Sequence, residues 1–389
     1  MSARGGRAFL VGGGVRDHLM GRPVKDWDVE VFGLPVDALV HLLEQRGRVS
    51  AVGRSFGVLK WRVAGVDHEV DVSIPRRDSK VGPGHRGIAV EGDPDMTLEE
   101  ATGRRDLTIN AMMWDLARQE LVDPRGGAAD LEAGRLRAVD PATFLEDPLR
   151  ALRVVQFVAR LGFAPDEPLL DCCRRAELAE LPAERVLGEW EKLLLRGNHF
   201  VLAFRAARDA RILERVFPEV VDLEPGPRLE QLLSLRNRTT PQGRQLALML
   251  LGWLWPATPA AVDATLNHLQ LFTLGGYRVR DRVMEAHAAS DAPSGSDAAL
   301  RWLSTRAEPW LVLGVRGDHT GLERATALSI AHEPPPRLLT GKHLTAMGIR
   351  GGPAMGRLLD EAWRAQLDGL LTTEADAVSW GRERVSRAP

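Results

Sequence analysis

Cysteine is almost missing from this sequence. The two that occur, Cys172 and Cys173, are adjacent, so they cannot build a disulfide framework or a four-ligand zinc site. The expectation is a pair of half-buried helical residues with no disulfide partner. Long apolar runs are missing as well. None approaches the roughly 20 residues needed to cross a bilayer, and Ala8–Val11, which follows Met1–Arg7, is shorter than a secretory signal requires. No membrane contact is expected, and the expected compartment is the cytoplasm. A surplus of charge of one sign is lacking too, since the formal net charge is −2. Net charge conceals local patches, so it neither supports nor excludes RNA as a partner. No His-Asp dipeptide occurs, the ten histidines show no paired metal-ligand spacing, and no internal repeat is visible.

What is present suits a globular chain of more than one packed unit: 389 residues, 44% hydrophobic and 27% charged. The first third reads as mixed α/β. Trp27–Phe32, Val58–Val63 and His68–Ile74 have strand character, and Asp37–Arg46 has helical periodicity. Arg76–Pro94 is rich in glycine, proline and charge and reads as a mobile loop. From about Asp140 strand signals fade. Phe144–Leu161, Glu184–Leu195, Phe200–Phe217 and Gly356–Leu370 carry apolar residues at helical spacing, with a turn or linker at His332–Pro336. An α/β head followed by an all-helical remainder is the expected architecture.

The chemistry concentrates in Gly12-Gly13-Gly14-Val15-Arg16-Asp17 and Lys25-Asp26-Trp27-Asp28-Val29. Side chains alternate along a strand, so Asp26 and Asp28 project to one face and Trp27 to the other. Two carboxylates side by side repel and invite a divalent cation, and an oxygen-only, partly open shell suits Mg²⁺. Asp71, on a neighbouring strand that alternates in the right phase, is the candidate third acid. By itself Asp-x-Asp is also what a solvated strand edge looks like. The glycine run changes that reading, because it exposes backbone N–H groups to phosphate and is followed by Arg16, a planar phosphate donor. No Gly-Lys-Ser/Thr follows, so it is not a Walker loop, and it does not fit the dinucleotide fingerprint.

Two further segments fit a nucleotide. Arg104-Arg105-Asp106-Leu107-Thr108-Ile109-Asn110 sets guanidiniums beside a carboxylate and an amide, which suits a triphosphate and its ribose. Glu146-Asp147-Pro148-Leu149-Arg150-Ala151-Leu152-Arg153 reads as a helix start, with Asp147, Arg150 and Arg153 along one face. Such a face can match a base edge, and it can equally be an intrahelical ion pair.

Taken in order, these motifs resemble those of the class II tRNA nucleotidyltransferases (the CCA-adding enzymes) and the related bacterial poly(A) polymerases, of the polymerase β-like superfamily. Asp123-Pro124-x-x-Gly127-x-x-Asp130-Leu131 resembles that family's head-to-neck connection, and a weaker echo returns at Leu339–Lys342 and Gly348–Leu359. The resemblance implies an α+β fold: a polymerase β-like nucleotidyltransferase head with a small mixed sheet and helices over residues 1–137. A helical neck over 138–200, selecting the base, and a helical body and tail over 201–389, binding tRNA, would follow. It implies that Asp26 and Asp28 hold Mg²⁺, with Asp71 as the least secure of the catalytic acids. Gly13, Arg16 and Arg105 would receive the triphosphate, and Asp106 and Asn110 would lie near its sugar and phosphates. Asp147 and Arg150, assisted by Arg153, would read the base of CTP or ATP, and the 76–94 loop would help switch from C to A. The implied partners are CTP, ATP and the tRNA 3′ end, with Arg205, Arg208, Arg211 and Arg215 as candidate phosphate contacts on the body. The implied reaction is template-independent addition of C and A. A CC-only or A-only enzyme, a poly(A) polymerase and a non-enzymatic RNA-binding relative are the alternatives. Some bacterial members carry a phosphohydrolase domain marked by a His-Asp pair. Here the corresponding Leu246–Trp255 is apolar, so no phosphatase or phosphodiesterase activity is expected.

Overall fold

The computed structural model describes residues 5–24, 26–51, 58–63, 65, 68–80 and 88–386. The chain divides into two compact units, Met1–Val221 and Asp222–Pro389.

The first unit opens with β1 (Arg7–Val11), α1 (Gly13–Leu19), β2 (Trp27–Phe32), α2 (Val36–Glu44), β3 (Gly47–Ala51), β4 (Val58–Val63) and β5 (Glu69–Ser73). Then come β6 (Arg76–Lys80), β7 (Ile88–Gly92), α3 (Leu98–Gly103), a 3₁₀ turn at Thr108–Asn110, β8 (Met113–Asp115), β9 (Glu120–Val122) and α4 (Gly127–Glu132). The main sheet runs β3-β4-β5-β2-β1-β8-β9. It is mixed, because β2 and β5 are parallel while their outer neighbours are antiparallel.

Alternation divides the sheet chemically. Val29, Val31, Leu59, Trp61, Val70 and Val72 lie on one face and pack with Leu39 and Leu43 of α2. Burying the fully covered ones, Val31, Leu59, Val72, Leu39 and Leu43, contributes about 1.5–3 kcal/mol each before conformational entropy is subtracted. The opposite face carries Lys60 and Arg62 of β4, Glu69 and Asp71 of β5, and Asp28 and Glu30 of β2, in register. One side of the sheet is therefore a core, and the other, near the N-terminal end of β2, is a polar platform.

The 76–94 segment departs from expectation. Its two arms, β6 and β7, pair antiparallel from Arg76↔Gly92 to Lys80↔Ile88, outside the main sheet. Residues 81–87 lie outside the described residues. The ribbon satisfies its backbone groups by pairing and is tied to α3 through Arg77, which donates to Asp93 at 2.8 Å and to Glu100 at 3.3 Å.

After β10 (Arg135–Leu136) come α5 (Pro141–Phe144), α6 (Leu149–Leu161), β11 (Ala164–Pro165), α7 (Glu167–Arg175), α8 (Ala183–Arg196), α9 (Phe200–Asp209) and α10 (Ile212–Val216). α6 is the hub, packing against both α8 and α9. Two expected helices are each split. Phe144–Leu161 breaks at Leu145–Pro148, because Pro148 disfavours a helical Asp147. Phe200–Phe217 breaks at Arg211, whose φ of 56° is left-handed. Cys172 and Cys173 are fully buried, not half-buried, on α7, and burial pushes the Cys173 thiol up to about 12.

Arg215 belongs to that second break and is not a free phosphate contact. Its guanidinium donates to the carbonyls of Arg211 at 2.8 Å, Cys173 at 2.8 Å, Ala176 at 2.8 Å and Arg174 at 3.1 Å, stapling the end of α7 to the α9–α10 turn. Replacing Arg215 by Ala leaves partly buried carbonyls without donors. The expected result in thermal unfolding is a loss on the order of 2–3 kcal/mol. Arg211 pairs with Glu214 at 2.6 Å on the surface.

The second unit contains no strand among its described residues and runs from the helix Gly226–Gln231 to the helix Glu374–Ser386. Its central helix, Gln242–Leu254, is buried along all of Leu246–Leu254. That is why this stretch lacks an amphipathic period.

Candidate active site

Asp28 of β2 lies directly opposite Asp71 of the parallel strand β5. Asp26 stands in the bend just before β2 and not on the strand itself, yet its charge acts on Asp28, so three carboxylates gather at this end of the sheet. Asp26 and Asp28 are open to solvent. The protein crowded around Asp28 raises its carboxyl above the usual carboxylate range; Asp71 and Asp26 add to the shift and Arg105 opposes it. These are the electrostatics of a site short of positive charge. Asp71 turns to Lys60, 3.4 Å away, whose ammonium also reaches Glu69 at 2.8 Å. Among the described residues no ready-made group of three His, Cys, Asp or Glu side chains surrounds a metal position. Two exposed carboxylates that leave the remaining ligands to substrate oxygens nonetheless fit Mg²⁺, which takes one or two carboxylates plus phosphate.

Beside the carboxylates is the β1–α1 turn. Gly12 has φ 69°, and a Cβ there would sit 3.6 Å from Nη1 of Arg105 and 4.0 Å from Oδ2 of Asp28. The missing side chain thus leaves a gap bounded by a guanidinium and a carboxylate. Of the three glycines only Gly12 has positive φ, since Gly13 and Gly14 already belong to α1. A Cβ on Gly13 would press on Arg16 at 3.3 Å.

Arg16 is buried. Its Nη1 donates to Asn110 at 2.7 Å, and its Nε and Nη2 donate to Asp17 at 2.9 and 2.7 Å. Asn110 in turn donates to Asp106 at 3.1 Å, and Arg153 donates to the other oxygen of Asp106 at 2.8 Å. Burial alone would push the Asp106 carboxyl up. Arg153, the Asn110 amide and the Leu107 N–H outweigh it and hold the group below the ordinary range. The guanidiniums of Arg16 and Arg153 also flank the Phe157 ring, at 5.3 and 5.4 Å. The turn that carries Asn110 is fixed from below. Thr108 donates to the buried Asp130 at 2.6 Å, and Arg137 closes on Asp130 at 2.8 Å. Asp123 accepts from Gly127 and Ala128 at the start of α4.

Asp147 and Arg150 do not pair with each other. Asp147 accepts from Arg185 of α8 at 2.9 Å, and Arg150 donates to the carbonyls of Thr143, at 2.5 Å, and Arg104, at 2.8 Å. Arg185 was not singled out in the sequence, being 38 residues from its partner. Glu30 was missed as well, although it continues the Asp26, Asp28 alternation. It is only 1% exposed and meets Arg104 at 2.7 Å and Arg105 at 3.6 Å.

Residues 8–137 match the Poly A polymerase head domain, and residues 167–223 match the probable RNA and SrmB-binding site of polymerase A. A multifunctional CCA protein of Methylococcus capsulatus is 44% identical over 222 residues, 55% of this chain and 49% of the relative. One from Nitrosomonas eutropha is 40% identical over 220 residues, 55% of this chain and 50% of the relative. The chain thus spans about half the length of the curated relatives it matches. Across nearly the whole chain the fold is that of the Bacillus stearothermophilus CCA-adding enzyme solved with CTP. The TM-score is 0.71 at 26% identity, covering 99% of this chain and 95% of that one. The Thermotoga maritima CCA-adding enzyme solved with tRNA shares the fold at a TM-score of 0.62 and 19% identity, over 99% and 92% of the two chains. The chain therefore carries a match to the Poly A polymerase head domain and to that polymerase's RNA-binding segment, on the overall fold of a CCA-adding enzyme.

Proposed function

We propose that this protein adds C and A nucleotides to the 3′ end of tRNA, without a nucleic-acid template, from CTP and ATP with release of pyrophosphate. The observation that carries the reading is the pair Asp28 and Asp71 opposite each other on one sheet face, with Asp26 close by, beside a glycine gap bounded by Arg105. Relatives named multifunctional CCA proteins and a structural neighbour solved with CTP support it. The compartment that goes with it is the cytoplasm.

In this reading Asp26 and Asp28 hold Mg²⁺. When bound, Mg²⁺ would supply Lewis-acid stabilisation of the negative charge that develops as the RNA 3′-hydroxyl attacks the α-phosphate and pyrophosphate departs. Arg105 takes a triphosphate oxygen at the gap over Gly12 and Gly13, and Arg16 joins it by exchanging Asp17 for phosphate. Asp71 lies on the side of β2 away from Gly12, so it faces the RNA terminus, and Lys60 keeps it oriented. Asp106 and Asn110 meet the sugar. Asp147, Arg150 and Arg153 present donors and acceptors to the base edge, so protein groups take the part of a template. Helical surfaces of the neck and body hold the tRNA by its phosphates and shape.

The test offers the purified chain three tRNAs, ending before the first C, after CC, and complete, with CTP and ATP singly and together. Three residues added to the shortest tRNA, followed by arrest, is the expected result. Long A tails would assign it to the poly(A) polymerases, and arrest after CC or addition of A alone to a divided enzyme. Failure on every substrate with Mg²⁺ present would defeat the reading.

A further inference from the structure

Asp28 and Glu30 of β2 point to one face, and Asp26 stands in the bend just before the strand, where its charge acts on Asp28, but the surroundings of the three differ. Asp26 and Asp28 are open to solvent, whereas Glu30 is 1% exposed. A carboxylate that deep is tolerated only when paired, and Glu30 has two partners. Its Oε1 accepts from Arg104 Nη2 at 2.7 Å, and its Oε2 lies 3.6 Å from Arg105 Nη2. With both oxygens facing guanidiniums, Glu30 is not available as a further metal ligand.

Arg105 stands between two anions. Its Nη2 edge faces Glu30, its Nη1 borders the gap over Gly12, and its charge acts on Asp28. Were Glu30 neutral, the attraction left to Arg105 would be the carboxylate row. The guanidinium would fold onto Asp28, satisfy the acid that should hold the metal, and vacate the gap. Arg104 and Arg105, adjacent cations, would also lose the anion that lets them lie together.

We infer that Glu30 is a positioning residue for nucleotide binding, anchoring Arg105 by one edge so that the other faces the triphosphate gap. The inference rests on the proposed role of Arg105 in receiving the triphosphate. It differs from a purely structural role for Glu30, because its effect must pass through Arg105 and must be felt by phosphates more than by base or sugar.

The test is a double-mutant cycle on the full chain, measured by calorimetric titration with CTP and with CMP in Mg²⁺ and no RNA. Glu30→Gln is expected to weaken CTP by about tenfold, the scale of one charge-assisted hydrogen bond, and CMP far less. In an Arg105→Met background the same substitution should weaken CTP no further. Equal weakening in both backgrounds, or unchanged CTP affinity in Glu30→Gln, overturns the inference. Should Glu30→Gln fail to fold, Glu30→Asp keeps the charge one methylene short, and an intermediate loss confined to the Arg105 background is expected. Absence of CTP binding in the parent protein would instead defeat the functional reading on which the inference stands.

Discussion

Asp28→Asn is expected to abolish nucleotide addition while raising the melting temperature in metal-free buffer. Loss of a metal ligand removes several kcal/mol of transition-state stabilisation, which is on the order of a thousandfold or more in rate. The stability change has the opposite sign. Folding raises the Asp28 carboxyl above its unfolded value, through crowding by the surrounding protein and the charges of Asp71 and Asp26. Protonated Asp28 therefore favours the fold below the unfolded pKa, and that contribution is lost as pH rises through the folded pKa. At neutral pH the ionised side chain opposes folding, and asparagine removes the charge with little change of shape. Added Mg²⁺ should stabilise the parent through mass action and leave the variant nearly unchanged. A variant that melts lower than the parent in chelator, or that gains as much from Mg²⁺, would show that Asp28 is not part of a metal site. Binding of tRNA, read by filter retention or gel shift, should be largely unaffected.

The second large effect is expected at Asp147. Asp147→Ala should blur the choice between C and A, lowering the discrimination at each step by about 10- to 100-fold, the 1–3 kcal/mol of a good bidentate contact to a base edge. Competition between CTP and ATP on a tRNA ending before the first C is the measurement. The reason lies in what holds the carboxylate. Asp147 is fixed by Arg185 from α8 and by the N–H of Leu149, so its oxygens have set directions, and alanine removes that fixed acceptor. Arg185 then loses its partner as well, so wrong nucleotides should be added faster than by the parent relative to right ones. An unchanged ratio of C to A with a lower overall rate would assign Asp147 a role in helix capping alone.

The sequence made some of this legible for particular reasons. Asp28 and Asp71 could be read as neighbours because strand alternation is a strict period of two, and the register Asp28↔Asp71 agrees with it, whereas Asp26 lies one residue outside β2, where alternation does not fix its direction. Glu30 obeys the same period and could have been found by extending it two residues. Lys60 could not, since its place opposite Asp71 depends on the pairing of β4 with β5. Arg185 and the staple made by Arg215 are tertiary contacts across 38 to 42 residues, and local pattern carries no trace of them. The ribbon β6–β7 reads as a loop in the sequence because Arg-Arg-Asp-Ser-Lys of β6 has no apolar alternation and glycine, proline and charge surround the short apolar stretch of β7. The helix start at Pro148 is legible in Glu146-Asp147-Pro148, whereas the break at Arg211 leaves no mark because apolar spacing continues across it.

The hydrogen-bonded path Arg16–Asn110–Asp106–Arg153 joins the glycine turn of the head to the face of α6, its first three members buried and Arg153 half-buried. A displacement of α6 by an ill-fitting base must either break one of these bonds or move Arg16. In the proposed enzyme an incorrect nucleotide would thereby be expected to sit with its α-phosphate out of line. Fidelity then rests on the speed of bond formation as well as on occupancy, much as a misaligned gear still engages but does not turn.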